Sequence, residues 1–497
     1  MNEREAALEK ALSASRLENK LLREKVDALI RLLYGKKSEK LDPNQLMLLE
    51  GAELKKADAP VAAEPDTGAN QKPSPCQRRK SEGPRIPEHL PVKEVVVDPE
   101  EVKANPQAWR CIGEEVSERL DYEPARFSKL RLIRRKFTPK DSPYAPPVIA
   151  PLPPTLQERC LATPGLIAQV VSSKYADHLP LYRQEQIYRR RNGVAIARQT
   201  LCRWTALAAD TLEPLYKLMT EQQQSHPYLQ IDETPIRYLS PGLGKAAQGY
   251  FWVTSLPAGD AIYHWHAGRG ADRLNQILNA KFEGTLQCDG YRAYTSFQKQ
   301  RAGPIELAAC WAHVRRKFIE AEERDPMIGR WMLRQIGQLY QIEVRLRDQN
   351  AGPALRIAVR SSQSAPILQR IKRALFKLKP RYLPRSNMGK ALAYAMEQWP
   401  GLELYLINGA IEIDNNLVEN AIRPTKLGMK NWLFLGSEAS GRTSAILFTI
   451  IESAKRHGLE PYAYIRNLLE SLPGTTNWNL HQLTPAAYAK TQLKEAA

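Results

Sequence analysis

The sequence predicts an α/β protein whose main domain combines a mixed β-sheet with a helical insertion. Short apolar runs separated by turn residues occur between residues 228 and 310, which indicates a series of strands. Residues 320–400 show helical spacing of apolar positions instead. Because 497 residues exceed the usual length of one domain, we expect roughly three or four units in all.

The charge of the chain favours a polyanionic partner. Lys and Arg total 72 against 54 Asp and Glu, so the formal net charge is +18. Phosphate contacts supply most non-specific affinity for nucleic acids, and such contacts need a basic surface. The hydrophobic fraction of 43% predicts a packed core, which argues against a disordered basic tail.

The same composition argues against membrane and secreted proteins. No apolar run approaches ~18 residues, and the charged N-terminus lacks the apolar stretch of a secretory signal. The six cysteines include no C-x-x-C pair, so we expect reduced thiols and no disulfide scaffold. We therefore expect a cytoplasmic protein without a membrane partner.

Residues 1–50 are expected to form an N-terminal coiled-coil helix. Positions 8, 12, 15, 19, 22, 26, 29 and 33 step alternately by four and three, which is a heptad seam. Asn19 lies on this seam, where a buried amide can fix register and partner number, so we predict a homo-oligomer formed through residues 1–33. One amphipathic helix packed on its own protein is the alternative. The Pro-rich residues 51–91 predict a disordered linker.

Residues 92–154 predict a small basic strand module that ends in a Pro-rich tract. The runs 95–97 and 130–137 are rich in residues that favour strands. Basic residues dominate the end of the second run, which favours a phosphate-facing surface over a solvated strand edge. The residues expected to contact DNA here are Arg134, Arg135 and Lys136.

Residues 155–222 predict a helical domain with the layout of a helix-turn-helix. One helix ends at the turn Asn192-Gly193, and a second helix follows. In a helix-turn-helix the second helix presents polar side chains to base edges or phosphates, whereas a plain helical pair is the alternative. The residues expected to bind DNA are Arg189, Arg190, Arg191, Arg198 and Arg203.

The segment after residue 223 has an ordered series of strands and helices. Strand candidates lie at 228–232, 249–256 and 261–266, followed by a helix at 271–280. Further strands are predicted at 284–289 and 305–310, and the latter leads into a helix through 311–318. This order is expected of a ribonuclease-H-like domain. The predicted parts are the first part of the core (223–320), a helical insertion (321–408), the Glu-bearing helices of the core (409–473) and a C-terminal tail (474–497).

Two aspartates stand where predicted strands end. Asp232 and Asp289 would emerge side by side if their strands were neighbours, and they would repel each other unless a cation lay between them. Mg²⁺ favours carboxylate oxygens, and a metal pair can activate a nucleophile and stabilise the leaving oxygen of a phosphodiester. Glu419 is the best candidate for a third carboxylate, and Glu412 and Asp414 are its competitors.

Each of these carboxylates also has a structural explanation. Asp289 begins a turn dipeptide with a glycine, and Glu419 could pair with Arg423 at i,i+4. Asp414 or Asn415 can cap the helix that carries Glu419, which would place Glu419 in the second turn of that helix. The catalytic hypothesis therefore depends on all three carboxylates occurring in the right order beside a basic helix-turn-helix.

Eight segments carry a resemblance that covers nearly the whole chain. The chain resembles the insertion-sequence sixty-six family of bacterial D-D-E transposases. The matching segments are LYGKKSEKL at 33–41, GEEVSERLDYEPA at 113–125, SKYADHLPLYRQ at 173–184, QIDETP at 230–235, CDGYRAY at 288–294, CWAHVRRKF at 310–318, IDNN at 413–416 and KNWLFLGS at 430–437.

This resemblance implies a catalytic triad of Asp232, Asp289 and Glu419 that binds two Mg²⁺ or Mn²⁺ ions. It implies hydrolysis of a phosphodiester and then strand transfer by a DNA 3′-hydroxyl, with no covalent protein–DNA intermediate. We expect His313 to lie near the scissile position, or else to be a satisfied core histidine. Further residues expected to contact the DNA backbone are Arg315, Arg316, Lys317, Arg423, Lys426 and Lys430.

The sequence departs from the family pattern in two places. Members of the family usually carry a paired-cysteine zinc module before the helix-turn-helix, but here Cys111 stands almost alone. One thiolate cannot close a tetrahedral zinc site, so we predict no zinc in the strand module. Asn420 and Met429 replace residues expected to be arginine, which would weaken DNA contacts near the triad.

Three partners are expected: double-stranded DNA, a second copy of the chain, and accessory proteins of the same element. The DNA would comprise the terminal repeats of the element and the target DNA. The expected location is the bacterial nucleoid.

Two other functions remain open. A catalytically inactive transposase relative would bind DNA as a regulator, and a metal-dependent nuclease would cut DNA without strand transfer.

Overall fold

The computed structural model describes residues 86, 88 and 90–495, with gaps at 124–125, 141–145, 154, 159, 241, 243 and 302. The coiled coil predicted at 1–50 and nearly all of the linker predicted at 51–91 lie outside these residues. Both therefore stay predictions.

A four-stranded sheet forms the N-terminal part of the described chain, in the region where the sequence predicts a strand module. The central strand β3 pairs in parallel with β1 and antiparallel with β2 and β4. A short helix, α1, connects β1 to β2. The bounds are β1 (Val92–Val97), α1 (Glu100–Ala104), β2 (Trp109–Glu123), β3 (Arg126–Pro139) and β4 (Val148–Ile149).

Three helices follow: α2 (Pro164–Tyr175), α3 (Leu181–Asn192) and α4 (Arg198–Gln224). Gly193 ends α3 in the left-handed conformation, with φ of 67°, which glycine adopts without a Cβ clash. The chain therefore turns between α3 and α4 at the dipeptide that the sequence singles out.

A second, five-stranded sheet has the order β7-β6-β5-β8-β9. The first three strands form an antiparallel meander, whereas β8 pairs in parallel with both β5 and β9. The mixed sheet predicted from the sequence is therefore confirmed. Its strands are β5 (Tyr228–Leu239), β6 (Ala246–Ser255), β7 (Ala261–His266), β8 (Gly284–Gln287) and β9 (Ile305–Ala308).

The helices between these strands differ in two respects from the expectation. Helix α5 (Ala271–Ile277) ends before residue 280, and the Gln224 side chain accepts the Asn279 N–H just beyond it. Helix α6 (Arg292–Gln300) was not predicted and lies between β8 and β9. Helix α7 (Trp311–Glu322) follows β9 where a helix was expected.

The segment 321–408 is helical, as its apolar spacing predicts. Helices α9 and α10 are joined by one π-helical turn, Arg360–Ser364. Arg360 is fully buried there and donates to both carboxylate oxygens of Glu343 on α8, at 2.8 and 2.7 Å. The helices are α8 (Pro326–Asp348), α9 (Pro353–Val359), α10 (Ala365–Leu378), α11 (Asn387–Glu397) and α12 (Trp399–Ile407).

The C-terminal part consists of four helices: α13 (Asn416–Trp432), α14 (Glu438–Arg456), α15 (Pro461–Ser471) and α16 (Pro485–Glu495). Helix α14 lies against the edge strand β7, where Thr449 Oγ1 accepts the Tyr263 N–H at 2.9 Å. Helix α16 falls in the region expected to be a tail, so this end of the described chain is helical.

The five-stranded sheet is covered on both faces. Phe251 and Val253 of β6 pack into one core cluster with α14, whereas Trp252 between them packs into another with α5 and α6. Alternate residues of a strand point to opposite faces, so the two clusters lie on opposite sides of the sheet. A third cluster joins α7 to the helices of the insertion.

Among the described helices, none has the length and apolar character that crossing a bilayer requires.

Candidate active site

The register of the parallel strands brings Asp232 and Asp289 to the same level. The last paired residues of β5 and β8 are Gln230 and Gln287. Each aspartate stands two residues further along its chain, and alternate residues of a strand share a face. In β9 the partner of Gln287 is Ala308, so Cys310 occupies the corresponding position on the third strand. The end of this sheet edge therefore carries two carboxyl groups and one thiol.

A buried polar network holds the segment before α13 against the same sheet edge. Gln230 Nε2 donates to the Asp414 carbonyl oxygen at 2.9 Å, and Gln287 Nε2 donates to the Glu412 carbonyl oxygen at 2.8 Å. The Tyr228 hydroxyl accepts the Glu412 N–H at 3.1 Å and donates to Gln287 Oε1. Since both glutamines are fully buried, these bonds fix where α13 begins.

Helix α13 carries Glu419 into the space beside the aspartates. Asn415 occupies the N-cap position without a side-chain capping bond, whereas Asp414 Oδ1 accepts the Asn416 N–H at 3.1 Å. The helix begins at Asn416, so Glu419 lies in its first turn. Asn415, one of the two residues expected to cap this helix, is therefore its N-cap, whereas the expectation of a second-turn position for Glu419 was wrong.

The three carboxyl groups act on one another. Burial raises the pKa of Asp232 to about 8, and the charges of Glu233, Asp289 and Glu419 act in the same direction. Glu419 Oε1 is buried and has no hydrogen-bond partner. A converging set of carboxylate oxygens with mutual repulsion is the donor set that a hard divalent cation relieves. The residues present therefore fit Mg²⁺ or Mn²⁺.

Glu233, next to Asp232, belongs to a second arrangement that sequence reasoning missed. It is buried, and it accepts hydrogen bonds from the Arg269 guanidinium, with Nε at 2.7 Å, and from the Tyr294 hydroxyl. Burial raises the pKa of Glu233, while these two hydrogen bonds act in the opposite direction. The Arg269 guanidinium also lies 3.8 Å from the centre of the Tyr291 ring. The only sequence signal was a second acidic residue directly after a strand-end aspartate.

Helix α7 supplies the partners of Glu419. Arg316 Nη2 lies 3.3 Å from Glu419 Oε2, and His313 Nε2 lies 3.6 Å from Glu419 Oε1. Burial lowers the pKa of His313, although the Glu419 charge opposes this effect. His313 and Arg316 thus both contact Glu419, whereas the position of His313 near the scissile phosphate stays a prediction. Arg315 and Lys317 on the same helix are exposed.

The two competitors for the third carboxylate have other contacts. Glu412 forms ion pairs with Arg347 at 2.9 Å and with Arg356 at 2.8 Å. Although burial raises the pKa of Glu412, the charges of these two arginines bring it below its ordinary value. Asp414 is buried and bonds to the first turn of α13. Glu419 is therefore the carboxylate of this segment that faces the aspartates.

Besides the residues of α7, the predicted DNA-contacting residues fall into three surfaces. Those of α3 and α4 are exposed around the Gly193 turn: Arg189, Arg190, Arg191, Arg198 and Arg203. Those of α13 are also exposed: Arg423, Lys426 and Lys430. The Lys426 Nζ donates to the Pro235 carbonyl oxygen at 3.2 Å.

The third surface, on β3, differs from the expectation. Arg134 is only 11% exposed and pairs with Glu115 of the neighbouring strand at 2.8 Å. Arg135 pairs with Glu114 at 3.6 Å, whereas Lys136 is exposed. The antiparallel register of β2 and β3 places acidic residues opposite these arginines. Much of the positive charge is therefore neutralised within the sheet, which favours the paired strand surface over a phosphate-facing one.

Comparisons with known proteins cover most of the chain. Residues 159–443, more than half of it, match the model described as "Transposase IS66 family". Residues 449–486 match "IS66 C-terminal element", and residues 21–95 match "Transposase C of IS166 homeodomain".

Two similar proteins come from Sinorhizobium fredii. "Uncharacterized protein y4jD" is 34% identical over 504 residues and is covered over 96% of both chains. "Uncharacterized protein y4qI" is 33% identical over 466 residues, which is 88% of this chain and 83% of that one. These matches agree with the resemblance that the sequence motifs carry. The chain belongs to the IS66 transposase family.

Proposed function

We propose that this protein is an active D-D-E transposase that binds the ends of an insertion sequence, cleaves a phosphodiester there and joins the 3′ end to target DNA. The observation that carries the proposal is the convergence of Asp232 from within strand β5, Asp289 from just beyond strand β8 and Glu419 from helix α13. The family membership supports the same reaction.

The topology of the second sheet supports a ribonuclease-H-like catalytic domain. Three antiparallel strands are followed by two parallel ones in the order β7-β6-β5-β8-β9, and helices cover both faces. In this arrangement Asp232 lies within the central strand β5, and Asp289 follows the end of its parallel neighbour β8. The helical insertion between α7 and α13 accounts for the long interval between Asp289 and Glu419.

Asp232, Asp289 and Glu419 would hold two Mg²⁺ or Mn²⁺ ions. Such ions supply activation of the attacking oxygen and stabilisation of the departing oxygen. The chain's own residues prepare this site. Gln230 and Gln287 fix the segment that leads into α13, and Arg316 with His313 orients Glu419. No side chain needs to act as a covalent nucleophile in this scheme.

DNA binding is proposed for the α3–α4 pair, which would act as a helix-turn-helix, and for the exposed basic residues of α7 and α13. Residues 1–33 would form the homo-oligomer, and accessory proteins of the same element are proposed as further partners. The protein would act at the nucleoid, where its substrate lies.

The test is a Mg²⁺-dependent cleavage and joining assay on DNA that carries the element's own ends. Wild type is compared with Asp232→Asn and Glu419→Gln, which keep the side-chain shape while removing the charge. We expect wild type to nick and join, and both variants to bind the DNA without doing either. Cleavage without joining would support a nuclease instead. DNA binding without cleavage by wild type, with Mg²⁺ or Mn²⁺ and in the presence of the element's accessory proteins, would support a regulator.

A further inference from the structure

A thiol, an imidazole and a carboxylate converge beside the aspartates. One ligand atom each of Cys310, His313 and Glu419 lies within 4.8 Å of the other two. Thiolate and imidazole are ligands that suit Zn²⁺ and related transition metals and that Mg²⁺ does not favour. This set therefore differs in chemistry from the set of three carboxylates, although it shares Glu419 with it.

The first turns of two helices, α7 and α13, position these three side chains. Cys310 occupies the N-cap position of α7, and His313 follows three residues later, on the same face of the helix. Glu419 reaches the pair from the first turn of α13. The Cys310 Sγ accepts the Asn415 N–H at 3.5 Å, so the start of α13 is tied to the start of α7. The distances between the three groups are thus set by the packing of two helices.

Two atoms of the cluster lack hydrogen-bond partners. His313 Nδ1 and Glu419 Oε1 are buried, and neither has a hydrogen-bond partner. Buried polar atoms without partners are uncommon because each costs about 1–3 kcal/mol of desolvation. A bound cation would satisfy the carboxylate oxygen, and a small reorientation of the imidazole would offer the cation a ring nitrogen.

We propose that Cys310, His313 and Glu419 form a binding site for a borderline transition-metal ion of the Zn²⁺ or Co²⁺ type. Three protein ligands leave a fourth position for water or a phosphate oxygen, as in open zinc sites. On binding, the Cys310 thiol releases its proton to solvent and coordinates as the thiolate. This site is separate from the zinc module considered for the strand region, which would have needed Cys111.

The site has a consequence that rests on the proposed function. Glu419 cannot serve a thiolate-bound ion and the carboxylate-bound Mg²⁺ ions at the same time. Occupancy by Zn²⁺ would therefore withdraw Glu419 from the D-D-E site. Low concentrations of Zn²⁺ would inhibit Mg²⁺-dependent cleavage, and Cys310→Ser would relieve this inhibition.

The binding test needs no activity. Co²⁺ is titrated into the full-length protein, and the near-ultraviolet absorption is recorded, because coordination by a thiolate gives a charge-transfer band that oxygen ligands do not give. We expect this band in wild type, at one Co²⁺ per chain, and its disappearance when Zn²⁺ is added. Cys310→Ser should abolish the band, and His313→Ala should weaken Co²⁺ binding at least about ten-fold.

Matched controls identify the thiol. Cys111→Ser and Cys202→Ser change exposed cysteines and should leave the band unchanged. Circular dichroism and thermal unfolding in EDTA show whether each variant folds. If Cys310→Ser unfolds the chain, Glu419→Gln supplies the second test, since it should weaken Co²⁺ binding while the thiolate band remains.

The outcomes separate this site from the proposed function. A band that survives in Cys310→Ser, or the absence of a band in wild type, overturns the metal site whether or not the protein cleaves DNA. A band that behaves as expected in a protein that never cleaves DNA supports the metal site and counts against the transposase mechanism alone.

Discussion

Gln230 and Gln287 are register partners in two parallel strands, and Gln230 Nε2 donates a 3.0 Å hydrogen bond to Gln287 Oε1. Each glutamine also donates to a backbone carbonyl of the segment just before α13. The pair therefore connects the strand that contains Asp232 and the strand that precedes Asp289 to the helix that carries Glu419. One buried amide pair sets the relative positions of all three carboxylates.

Replacing Gln287 by leucine should destabilise the protein. The change removes the donor to the Glu412 carbonyl oxygen and the acceptor of the Tyr228 O–H inside the core. Since a buried group without a partner costs about 1–3 kcal/mol, we expect the free energy of unfolding in urea to fall by at least this amount. Gln248→Leu on the exposed side of β6 is the control and should change it by less than about 0.5 kcal/mol. Equal stability of the two variants would contradict the positioning role.

The sequence was enough to predict the strands that lead to Asp232 and Asp289, because apolar runs mark them locally. It placed the end of the first strand at residue 232, whereas β5 continues to Leu239. It was not enough for contacts that depend on register or on long separations. Arg269 and Glu233 are 36 positions apart, and nothing near either residue indicates the pair. The pairing of Arg134 with Glu115 follows from a strand register that no pattern in either strand reveals.

Helix α6 was missed for a different physical reason. It has nine residues, and only Ala293, Tyr294 and Phe297 are buried, so it shows little more than one turn of apolar periodicity. It also follows the dipeptide Asp289-Gly290, which by itself indicates a turn. The sequence could not decide between Asp414 and Asn415 as the cap of α13, because both are good capping residues by type. In the structure Asn415 is the N-cap, and Asp414 accepts the Asn416 N–H from outside the helix.

The stability of the metal-free protein should fall with rising pH because of Asp232. Burial, Glu233 and the other carboxylates raise its pKa to about 8 in the folded state, whereas an unfolded aspartate titrates near ~4. Between these values the folded state binds more protons than the unfolded state, so stability decreases as the pH rises from about 4 to 8 and levels off above. Asp232→Asn removes this penalty.

The melting temperature of Asp232→Asn, minus that of wild type, should therefore increase between pH 5 and pH 9 in EDTA. Asp272→Asn on the surface of α5 is the control and should show no such trend. Adding Mg²⁺ should reduce the difference at high pH, since a cation offsets the repulsion in wild type. A difference that does not vary with pH would show that Asp232 titrates normally.

Glu412 should link the helical insertion to the start of α13. Its carboxylate pairs with Arg347 of α8 and Arg356 of α9, and its backbone bonds to Tyr228 and Gln287. Breaking a buried ion pair costs ~3–5 kcal/mol, but Arg347 is 46% exposed, so we expect Glu412→Gln to lower the free energy of unfolding by about 2 kcal/mol.

This loss should depend on pH. The pKa of Glu412 is held below its ordinary value, so its contribution is present above the pKa of the unfolded chain and disappears as the pH falls through the folded pKa. The difference between wild type and Glu412→Gln should be constant near pH 7 and vanish in acid. Glu403→Gln, which breaks a half-exposed pair with Lys372, is the control and should cost no more than about 1 kcal/mol. A Glu412 variant as stable as this control would contradict the link.

Arg269 should contact the DNA phosphate at the proposed cleavage site. Its side chain is 40% exposed, and its guanidinium is held by hydrogen bonds to Glu233 and by stacking on the Tyr291 ring. Asp289 is near enough to raise its pKa, along with Glu233, against the effect of burial. A cation held rigidly beside the carboxylates would stabilise charge that develops on a phosphate, which an exposed and mobile cation does poorly.

We therefore expect Arg269→Ala to slow cleavage of the element's ends by about 10²-fold while the affinity for the same DNA changes little. Arg269→Lys should recover only part of the rate, because lysine keeps the charge but neither the paired hydrogen bonds to Glu233 nor the planar stacking. Arg273→Ala, on the adjacent helix α5, is the matched control and should cleave like wild type. If Arg269→Ala loses rate only in proportion to its loss of folded protein in thermal unfolding, the residue is structural. If it cleaves like the control, Glu233 holds Arg269 for a reason unrelated to the phosphate.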